Sequence, residues 1–592
     1  MDIAIRNQIR ALIEELEKEG HDVKDPVVNL ILASLVHQAR KIQDEIDALP
    51  ERVTDRLMGC YIPREKIEAC PAICNVELKL RLKKGVEAHT LEEGTFFNYK
   101  LDTRTWLNYY PIFRNQVLPV ENLHVLAPGF FITKGEKIPM ETGRKGTVWV
   151  GLEIQGETET LENVSFYLKG THGLRPVKVT VADTDMSLEF VPASRISEVP
   201  MMSPFDSQQM SPATIETMFH WQKLLNDNRE GELIYIIDRL RDRDIFKKKA
   251  YPKAFQQLLE SKYLDGFDEA QNGILWLQMD FGQETDIPDS LEIIPNVVPA
   301  TNVNVNSVTL TQTSPIAKLT KDDGSYFLNI LETTLSARKQ GFNPVSEDIV
   351  VRDFDASVYN RGSLYRDIRN LYNRFVEDYQ AFVDYHALKD GELLRNLREL
   401  VNRISKGVEN STEVKNRYDE GTYAMRSVAL SGNPASVKVS YLTTAGSTGN
   451  GPKAGEKMEN KKDAALEKDV VIVESAKGGT DKARPDERYE LMRYYTLTAD
   501  RLYTRMDVKA FLRLQIIKEF GKEEAKRISY EISIEGAGAA TKLVRGLYID
   551  ITFKDDKNYR KAVAEGLAEK FTQEISDRSC ISMPIIISLN KE

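Results

Sequence analysis

The stretch KDPVVNLILASLVHQARKIQDEIDALPERVTDRLMGCYIPREKIEACPAICNVELKL (residues 24–80) contains two helical patterns followed by the first strand pattern of the chain. Asp25 and Pro26 are typical of a helix start, because Asp25 can accept hydrogen bonds from free backbone N–H groups and proline suits the first helical position. Pro50 fits a break after this helix, and Pro63 ends a second, shorter one. After Pro71 the apolar residues alternate with charged ones, which predicts a strand. The stretch therefore predicts a helical hairpin that leads into a sheet.

The N-terminal helices carry continuous apolar faces. Residues 3–19 form a further amphipathic segment that ends before Gly20, a residue suited to a helix C-terminus. Such faces belong either to a domain core or to a surface that binds a partner, and the sequence leaves both interpretations open. The candidate partner-interface residues on these faces are Ile9, Leu12, Ile31, Leu35, Ile42 and Leu49.

Composition limits the classes of function. The chain has 592 residues, a formal net charge of −10, 41% hydrophobic residues and 29% charged residues, as expected of a globular protein with several domains. The negative charge argues against a general nucleic-acid binder, whose phosphate contacts need basic patches. We find no secretory signal and no apolar run near the roughly 18 residues that cross a bilayer. Few cysteines suit a reducing compartment, so we expect a cytoplasmic protein.

The pattern along the chain predicts an α+β multidomain fold. We expect N-terminal amphipathic helices over 1–65, a β-rich domain over 70–204, a helical connector with a second β-rich domain over 205–345, a helical bundle segment over 346–442, a flexible Gly/Ser/Lys-rich loop over 443–486, and a C-terminal domain over 487–592. Within the connector, the apolar residues between Leu233 and Leu240 suggest a helix.

The longest helical pattern lies in the bundle segment. Apolar residues there recur at alternating three- and four-residue steps, which is typical of a seam between helices. The residues proposed for this seam are Leu364, Ile368, Leu371 and Phe375. We expect a helix bundle or a surface for a partner helix.

The C-terminal domain has a mixed pattern. Thr504 is suited to begin a helix, and two strands, a helix and a last strand follow it. With a further strand at Met492–Leu497, this order predicts a ferredoxin-like βαββαβ module.

Motifs for catalysis or metal binding are missing from the sequence. The histidines stand singly, there is no Gly-x-Ser-x-Gly elbow, and Gly446–Lys457 lacks the Lys-Ser/Thr of a phosphate-binding loop. Cys60, Cys70 and Cys74 could hold zinc only with a further ligand such as His37, and buried apolar cysteines are the commoner case. We therefore expect no catalytic residues, no metal and no cofactor.

Asn296-Val-Val-Pro-Ala-Thr-Asn302 is the most distinctive local motif. Pro299 fixes φ, and the Asn296 and Asn302 side chains can bond neighbouring backbone, so we predict a shaped structural turn rather than a reactive site.

Several of these motifs together resemble the TssF family of type VI secretion baseplate wedge proteins, which are similar to J-type phage wedge proteins. The segments that resemble the TssF family are Asp25-Pro26 with Leu49-Pro50-Glu51, Val148–Leu152 with Leu161–Gly170 as a strand pair, and Asn296–Asn302. Gly94-Thr95 before a strand and Ala499–Phe511 resemble the J-type wedge proteins. The sequence departs from the family at Val297, where many members have cysteine, and at Val303-Asn304, where Leu-Phe is usual.

The resemblance implies a structural wedge subunit rather than an enzyme. It implies assembly with a TssG-like subunit and a second copy of the chain around a VgrG-like spike hub, together with TssK-like and TssE-like baseplate subunits. It further implies a cytoplasmic assembly at the inner membrane, with indirect docking on a membrane complex and no nucleic acid.

Two other interpretations stay open. One is a wedge protein of a phage or an extracellular contractile injection system, whose sequence features overlap with these. The other is an enzyme of unrecognised type with a cleft formed by the β segments around 270–330, although the sequence shows no convergent polar groups there.

Overall fold

The computed structural model of the chain combines helices with mostly antiparallel sheets. It describes residues 58, 61–81, 87–140, 145–156, 158, 160–171, 173–184, 186–206, 212–226, 230–241, 251–259, 273–283, 285–320, 324–335, 338–341, 349–354, 361–385, 392–410, 421–426, 436–535, 546–580 and 583–592. Of the predicted hairpin over residues 24–62, residues 24–57, 59 and 60 lie outside these ranges, as do all candidate interface residues from Ile9 to Leu49. Within them, no helix is long and apolar enough to span a bilayer.

The strands are numbered in chain order. They are β1 (Ile73–Glu77), β2 (His89–Thr90), β3 (Phe97–Lys100), β4 (Trp106–Pro111), β5 (Gln116–Val117), β6 (Val120–Ala127), β7 (Phe130–Thr133), β8 (Glu136–Pro139), β9 (Thr147–Ile154), β10 (Thr160–Leu161), β11 (Val164–Lys169), β12 (Lys178–Val181), β13 (Ser187–Leu188), β14 (Phe190–Pro192), β15 (Gly231–Ile236), β16 (Leu240–Arg241), β17 (Gly273–Asp280), β18 (Glu292–Pro295), β19 (Val297–Asn302), β20 (Asn304–Thr311), β21 (Ile316–Lys318), β22 (Tyr326–Leu335), β23 (Arg338–Gly341), β24 (Ile349–Phe354), β25 (Gly421–Arg426), β26 (Ser436–Thr444), β27 (Lys457–Asn460), β28 (Asp469–Lys477), β29 (Ile528–Glu535), β30 (Gly546–Phe553) and β31 (Ile585–Lys591).

The helices follow the same scheme. They are α1 (Pro212–Asn226), α2 (Phe255–Leu258), α3 (Arg361–Tyr385), α4 (Glu392–Asn410), α5 (Pro485–Thr498), α6 (Arg505–Phe520), α7 (Lys522–Ala525), α8 (Asp556–Ala564) and α9 (Leu567–Arg578).

The chain divides into two compact units, each built from separate segments. The helical unit comprises Met1–Ile67, Phe354–Glu420 and Ala483–Glu592, and the barrel unit comprises Glu68–Asp353 and Gly421–Lys482. The domains predicted from the sequence are continuous segments, whereas both units bring together parts of the chain that are far apart in sequence.

A closed barrel with the strand order β1-β19-β4-β3-β27-β28 lies in the barrel unit. The predicted strand after Pro71 is β1, which pairs antiparallel with β19 and with β28 and so closes the barrel. Its interior is apolar because alternate side chains of these strands point inward. These side chains include Cys74, Val76, Phe97, Tyr109, Val298 and Ile472.

Two stacked sheets form a second core in the same unit. The seven-stranded sheet has the order β13-β12-β17-β9-β6-β7-β8, and the four-stranded sheet has the order β14-β15-β11-β18. Val148 and Val150 of β9 face the same core as Phe166 of β11 and Ile234 of β15. Trp149 and Trp276 point to the opposite side of the seven-stranded sheet, where they pack edge-to-face on Phe255 of α2. Because both faces are covered, β9 is buried along its whole length.

The helical pair α3–α4 is inserted between two strands of the barrel unit. One sheet has the order β20-β26-β22-β23, and the next has the order β21-β25-β24. Since β24 ends at Phe354 and its neighbour β25 begins at Gly421, the chain leaves and re-enters at adjacent strands. The predicted bundle segment 346–442 is therefore helical only over α3 and α4, and its remaining described residues lie in β24, β25 and β26.

The C-terminal part of the helical unit is a three-stranded sheet packed against helices. β29 and β30 are antiparallel, whereas β30 and β31 are parallel and connected through α8 and α9. Phe511, Phe553 and Phe571 lie in its core, which also takes in Met58 and Ile62 from the N-terminal region.

The predicted ferredoxin-like module is wrong at its first strand. The predicted helix from Thr504 is confirmed as α6, with Thr504 Oγ accepting from the backbone N–H of Asp507. However, Met492–Leu497 lies in α5. Leu491, Tyr494, Tyr495 and Thr498 are buried at helical spacing, so packing against α6 outweighs the strand preference of the tyrosines.

The predicted flexible loop 443–486 is also wrong. Its residues complete β26, form β27 and β28 of the barrel, and begin α5. Two side chains hold the Gly-rich turn. Asp481 accepts hydrogen bonds from the backbone N–H and the hydroxyl of Ser447. The Asn450 amide donates to the carbonyl of Gly479 and accepts from its N–H. Glycine there serves tight turns between paired strands rather than mobility.

Two further predictions need correction. Residues 231–236 form β15 rather than a helix, because the strand lies between β11 and β14 and is buried on both faces. Val148–Leu152 and Leu161–Gly170 do contain strands, but β9 pairs with β17 and β6, whereas β11 pairs with β15 and β18. They do not form a strand pair with each other.

Candidate functional site: an exposed apolar helical pair

Helix α3 carries two apolar stripes that differ in burial. The first consists of Ile368, Tyr372, Val376, Tyr379 and Val383, which are partly or fully buried. Their spacing of three and four residues places them on one face of the helix, and α3 lies against α4. This stripe holds the helix in place.

The second stripe of α3 faces solvent. Leu371 is 70% exposed, Phe375 is 45% exposed and Phe382 is 52% exposed. The Phe375 ring stacks on Tyr379 with 5.8 Å between ring centroids, which fixes the orientation of an exposed aromatic side chain. Exposed apolar residues scattered singly are ordinary, but a row of them at helical spacing indicates a surface for a partner.

Helix α4 repeats this arrangement. Leu394, Leu397 and Val401 are half-buried, whereas Leu400 and Ile404 are exposed. We refer to the exposed residues Leu371, Phe375, Phe382, Leu400 and Ile404 together as the exposed apolar row. Covering such side chains contributes about 25 cal/mol per Å² of apolar surface removed from water.

The structure divides the predicted seam instead of burying it as a unit. Ile368 belongs to the packed stripe of α3, whereas Leu371 and Phe375 belong to the exposed apolar row. Leu364 lies in α3, but its side chain is outside the described part of the chain. The periodicity predicts the helix correctly, but it cannot separate two stripes that differ by one position around the helix.

Asn296–Asn302 is not a turn, which corrects the prediction for this motif. Pro299 and Asn302 lie in β19, a strand inside the barrel sheet. Asn296 joins β18 to β19 with φ of +57°, a left-handed conformation that asparagine tolerates better than most residues.

The two asparagine side chains bond distant rather than neighbouring backbone. The Asn296 amide accepts from the N–H of Leu118 and donates to its carbonyl, each at 2.9 Å. Asn302 donates to the carbonyl of Asn108 and accepts from the N–H of Ala445. The motif thus anchors three separate segments to the barrel.

One polar cluster was not predicted from the sequence. His89, Glu92 and Asp463 bring potential metal-ligating atoms within 4.8 Å of one another. His89 Nε2 lies 2.8 Å from Asp463 Oδ2, which also accepts from the Glu92 backbone N–H, while Oδ1 accepts from Ala465. The buried carboxylate is therefore already bonded by protein groups, and the cluster works as a clamp between the β2 region and the segment that joins β27 to β28. No local motif signals it, since the residues are far apart in sequence.

The clamp shifts both pKa values. The hydrogen bond that His89 donates to Asp463 raises the pKa of His89 above its ordinary value, although burial acts against this. Burial alone would raise the pKa of Asp463, but the hydrogen bonds from His89 and the backbone of Glu92 outweigh it and lower that pKa. Both shifts favour the charged pair.

The cysteines considered for zinc do not form a site among the described residues. Cys70 and Cys74 are buried, and Cys60 is outside the described ranges. Burial, with the nearby Glu474 carboxylate, raises the pKa of the Cys74 thiol well above its ordinary range. A thiol held in its protonated form is a poor metal ligand.

Comparison with known proteins identifies no family from the sequence. No protein-family model matches the chain. No curated protein matches it either. Among solved structures, the chain is similar to one in the type VI secretion system TssK-TssF-TssG baseplate subcomplex solved by cryo-electron microscopy, with 12% identity, a TM-score of 0.38, and 95% of this chain and 96% of that chain covered. It is also similar to a chain of the anti-feeding prophage (AFP) baseplate, with 8% identity, a TM-score of 0.24, and 98% of this chain and 70% of that chain covered. At these TM-scores neither likeness carries an argument about this chain.

Proposed function

We propose that the protein is a structural wedge subunit in the baseplate of a contractile type VI secretion apparatus. In this role it binds other subunits and performs no catalysis. The proposal rests on the TssF-like motifs of the sequence and on the exposed apolar row of α3 and α4.

The exposed apolar row is the observation that carries the proposal. Leu371 and Phe375 lie on a helix that has a second, buried stripe and that lies against α4, so their exposure does not result from a loosely placed helix. A subunit that presents such a helical face can pack it against helices of a partner, as amphipathic helices do in bundles. The inserted position of α3–α4 between adjacent strands suits an element that was added for binding.

The partners follow from the resemblance. We propose that a TssG-like subunit covers the exposed apolar row, with a second copy of this chain in the same wedge. TssK-like and TssE-like subunits and a VgrG-like spike hub complete the proposed baseplate, which assembles in the cytoplasm at the inner membrane and supports sheath and tube assembly.

The test is co-expression with a TssG-like subunit encoded in the same locus, followed by native mass spectrometry. We expect a complex of two copies of this chain with one TssG-like subunit. Leu371→Asp should remove this complex while the chain stays folded. In the free chain the exposed carboxylate is in contact with water, whereas in the complex it would be buried without an oppositely charged partner.

Val177→Asp is the matched control. Val177 is 74% exposed but lies in the barrel unit, so the same change should leave the complex intact. A Leu371→Asp protein that still forms the complex would remove the helical pair from the proposal. A wild-type chain that ignores every baseplate subunit of its locus would contradict the proposed function itself.

A further inference from the structure

The outer edge of β31 has backbone groups available for another strand. The N–H of Leu547 in β30 donates to the carbonyl of Pro584, and the N–H of Glu592 donates to the carbonyl of Phe553. In a parallel pair, alternate residues of a strand bond the same neighbour, so the even-numbered residues of β31 bond β30. The N–H and C=O groups of Ile585, Ile587 and Leu589 therefore point away from β30. In the described ranges, no strand pairs with that edge.

The two edges of this sheet are protected differently. β29, at one edge, carries the exposed Glu531, and charged residues are a common means of keeping an edge strand from pairing. β31, at the other edge, carries no charge between Ile585 and Asn590. Its side chains thus leave the edge open to a strand.

The side chains of β31 also suit an added strand. Ile585, Ile587 and Leu589 pack on the core but stay partly exposed, and no strand of the described ranges flanks them on the outer side. A neighbouring strand with apolar residues at alternate positions would cover them. Only an extended backbone can meet the alternating N–H and C=O groups of the edge, so a helix does not fit there.

We propose that β31 pairs antiparallel with β31 of a second copy of this chain, across a two-fold axis at Ser588. This register sets Ile587 opposite Leu589 of the second copy, so apolar residues meet on the core side. Ser588 meets Ser588, and Lys591 of each copy lies opposite Ile585 of the other, so the charged residues Lys591 and Glu592 of the two copies lie at opposite ends of the pair. The strand is thus complementary to itself, as a two-fold interface requires. The proposal concerns the β31 edge alone and does not depend on the proposed baseplate role.

The experiment uses the full chain alone. Analytical ultracentrifugation across the micromolar range should show a concentration-dependent dimer. Ser588→Lys should weaken this dimer by ~10-fold or more, because the change sets two like charges directly opposite each other. Within one copy, Ser588 lies beside Asp550 of β30, so the new lysine has an acidic neighbour and the fold should persist. Circular dichroism checks that it does.

Ser529→Lys is the matched control, since Ser529 is exposed on β29 at the charged edge of the same sheet. It should leave the dimer unchanged. A second measurement on the unchanged chain is residue-resolved amide hydrogen exchange. The amides of Ile587 and Leu589 should gain protection as concentration rises, whereas those of Ile586 and Ser588 should be protected throughout.

Three results would overturn the inference. The first is a chain that stays monomeric while the Ile587 and Leu589 amides exchange freely. The second is a dimer that Ser588→Lys does not weaken, which would use another surface. The third is protection of these amides only when a different protein is added, which would assign the edge to an extended segment of that protein.

Discussion

At the scale of single residues, His89 and Asp463 join positions 374 residues apart in the sequence. The raised pKa of His89 means that its interaction with Asp463 stabilises the fold fully below the ordinary pKa of histidine and is lost as pH rises through the folded-state value. The lowered pKa of Asp463 sets the lower pH limit of this stabilisation, since the contribution of the ionised carboxylate to stability is lost as pH falls through that pKa. The clamp is therefore strongest between these two pKa values.

We predict that His89→Ala destabilises the barrel unit more near pH 6 than near pH 9, by about 1 kcal/mol. Urea unfolding followed by tryptophan fluorescence measures this, because Trp106, Trp149, Trp221 and Trp276 all lie in the barrel unit. His124→Ala is the control. Burial lowers the pKa of His124 to about 4, so the effect of that change should not vary across this window. Equal destabilisation by His89→Ala at both pH values would contradict the charged clamp.

Asn296 combines a left-handed backbone with a buried amide that bonds Leu118 in both directions. We predict that Asn296→Ala lowers the unfolding free energy of the barrel unit by ~3 kcal/mol, since it leaves backbone groups of Leu118 unbonded and strains φ. Asn296→Gly should cost ~1 kcal/mol less than alanine, because glycine adopts this φ without strain. An equal loss of unfolding free energy in the two variants would show that strain in the backbone conformation contributes nothing to the effect of Asn296→Ala.

At the scale of elements, β9 shows how closely the sheets are packed. A Cβ atom on Gly151 would lie 2.7 Å from carbon atoms of the Trp276 ring on the neighbouring strand β17. The ring is held edge-to-face against Phe255, and the close packing of protein interiors leaves such a ring little room to move. The glycine is thus required by its neighbour rather than by a turn.

We therefore predict that Gly151→Ala lowers the unfolding free energy of the barrel unit by ~1–3 kcal/mol. Gly407→Ala is the matched control, because nothing lies within 4 Å of a Cβ atom there. It should leave the tryptophan-reported transition unchanged. A Gly151→Ala protein as stable as the wild type would mean that Trp276 can move aside.

The elements also show how far the sequence predicts this fold. Helices with clear periodicity and a capping residue, such as α6 after Thr504, were predicted correctly. β27 was missed because its only fully apolar inward residue is Met458 and its pairing partners, β3 and β28, are set by the tertiary fold. Tyrosine favours strands, and the tyrosines of α5 led to the wrong prediction of a strand there. Their conformation is set by burial against α6, which is also a tertiary contact.

The candidate site was predicted only in part. The heptad pattern identified Leu371 and Phe375 as partner candidates, and both are exposed. It could not identify Leu400 and Ile404 as exposed, because core and interface residues share one periodicity. Distant contacts such as that between His89 and Asp463 leave no pattern in a single sequence.

At the scale of the whole molecule, the insertion of α3–α4 predicts that the proposed binding and the folding of the barrel unit are separable. β24 and β25 are neighbours in one sheet, so a short Gly/Ser linker can replace residues 355–420. We predict that this deletion keeps the urea transition of the barrel unit, seen by tryptophan fluorescence, but removes binding to a TssG-like subunit. Loss of the transition would show that the barrel unit needs the inserted helices in order to fold.

The closed barrel has a consequence for how the protein is made. β1 is synthesised long before β28, yet it pairs Val76 with Ile472 of β28. At a translation rate of about 5–20 residues per second, β1 leaves the ribosome on the order of tens of seconds before β28 exists. During that interval its apolar side chains lack their final neighbours, and pairing across so long a separation is slow. We therefore expect the nascent chain to bind chaperones. These would keep β1 and β19 from contacting other chains until the last barrel strand has emerged.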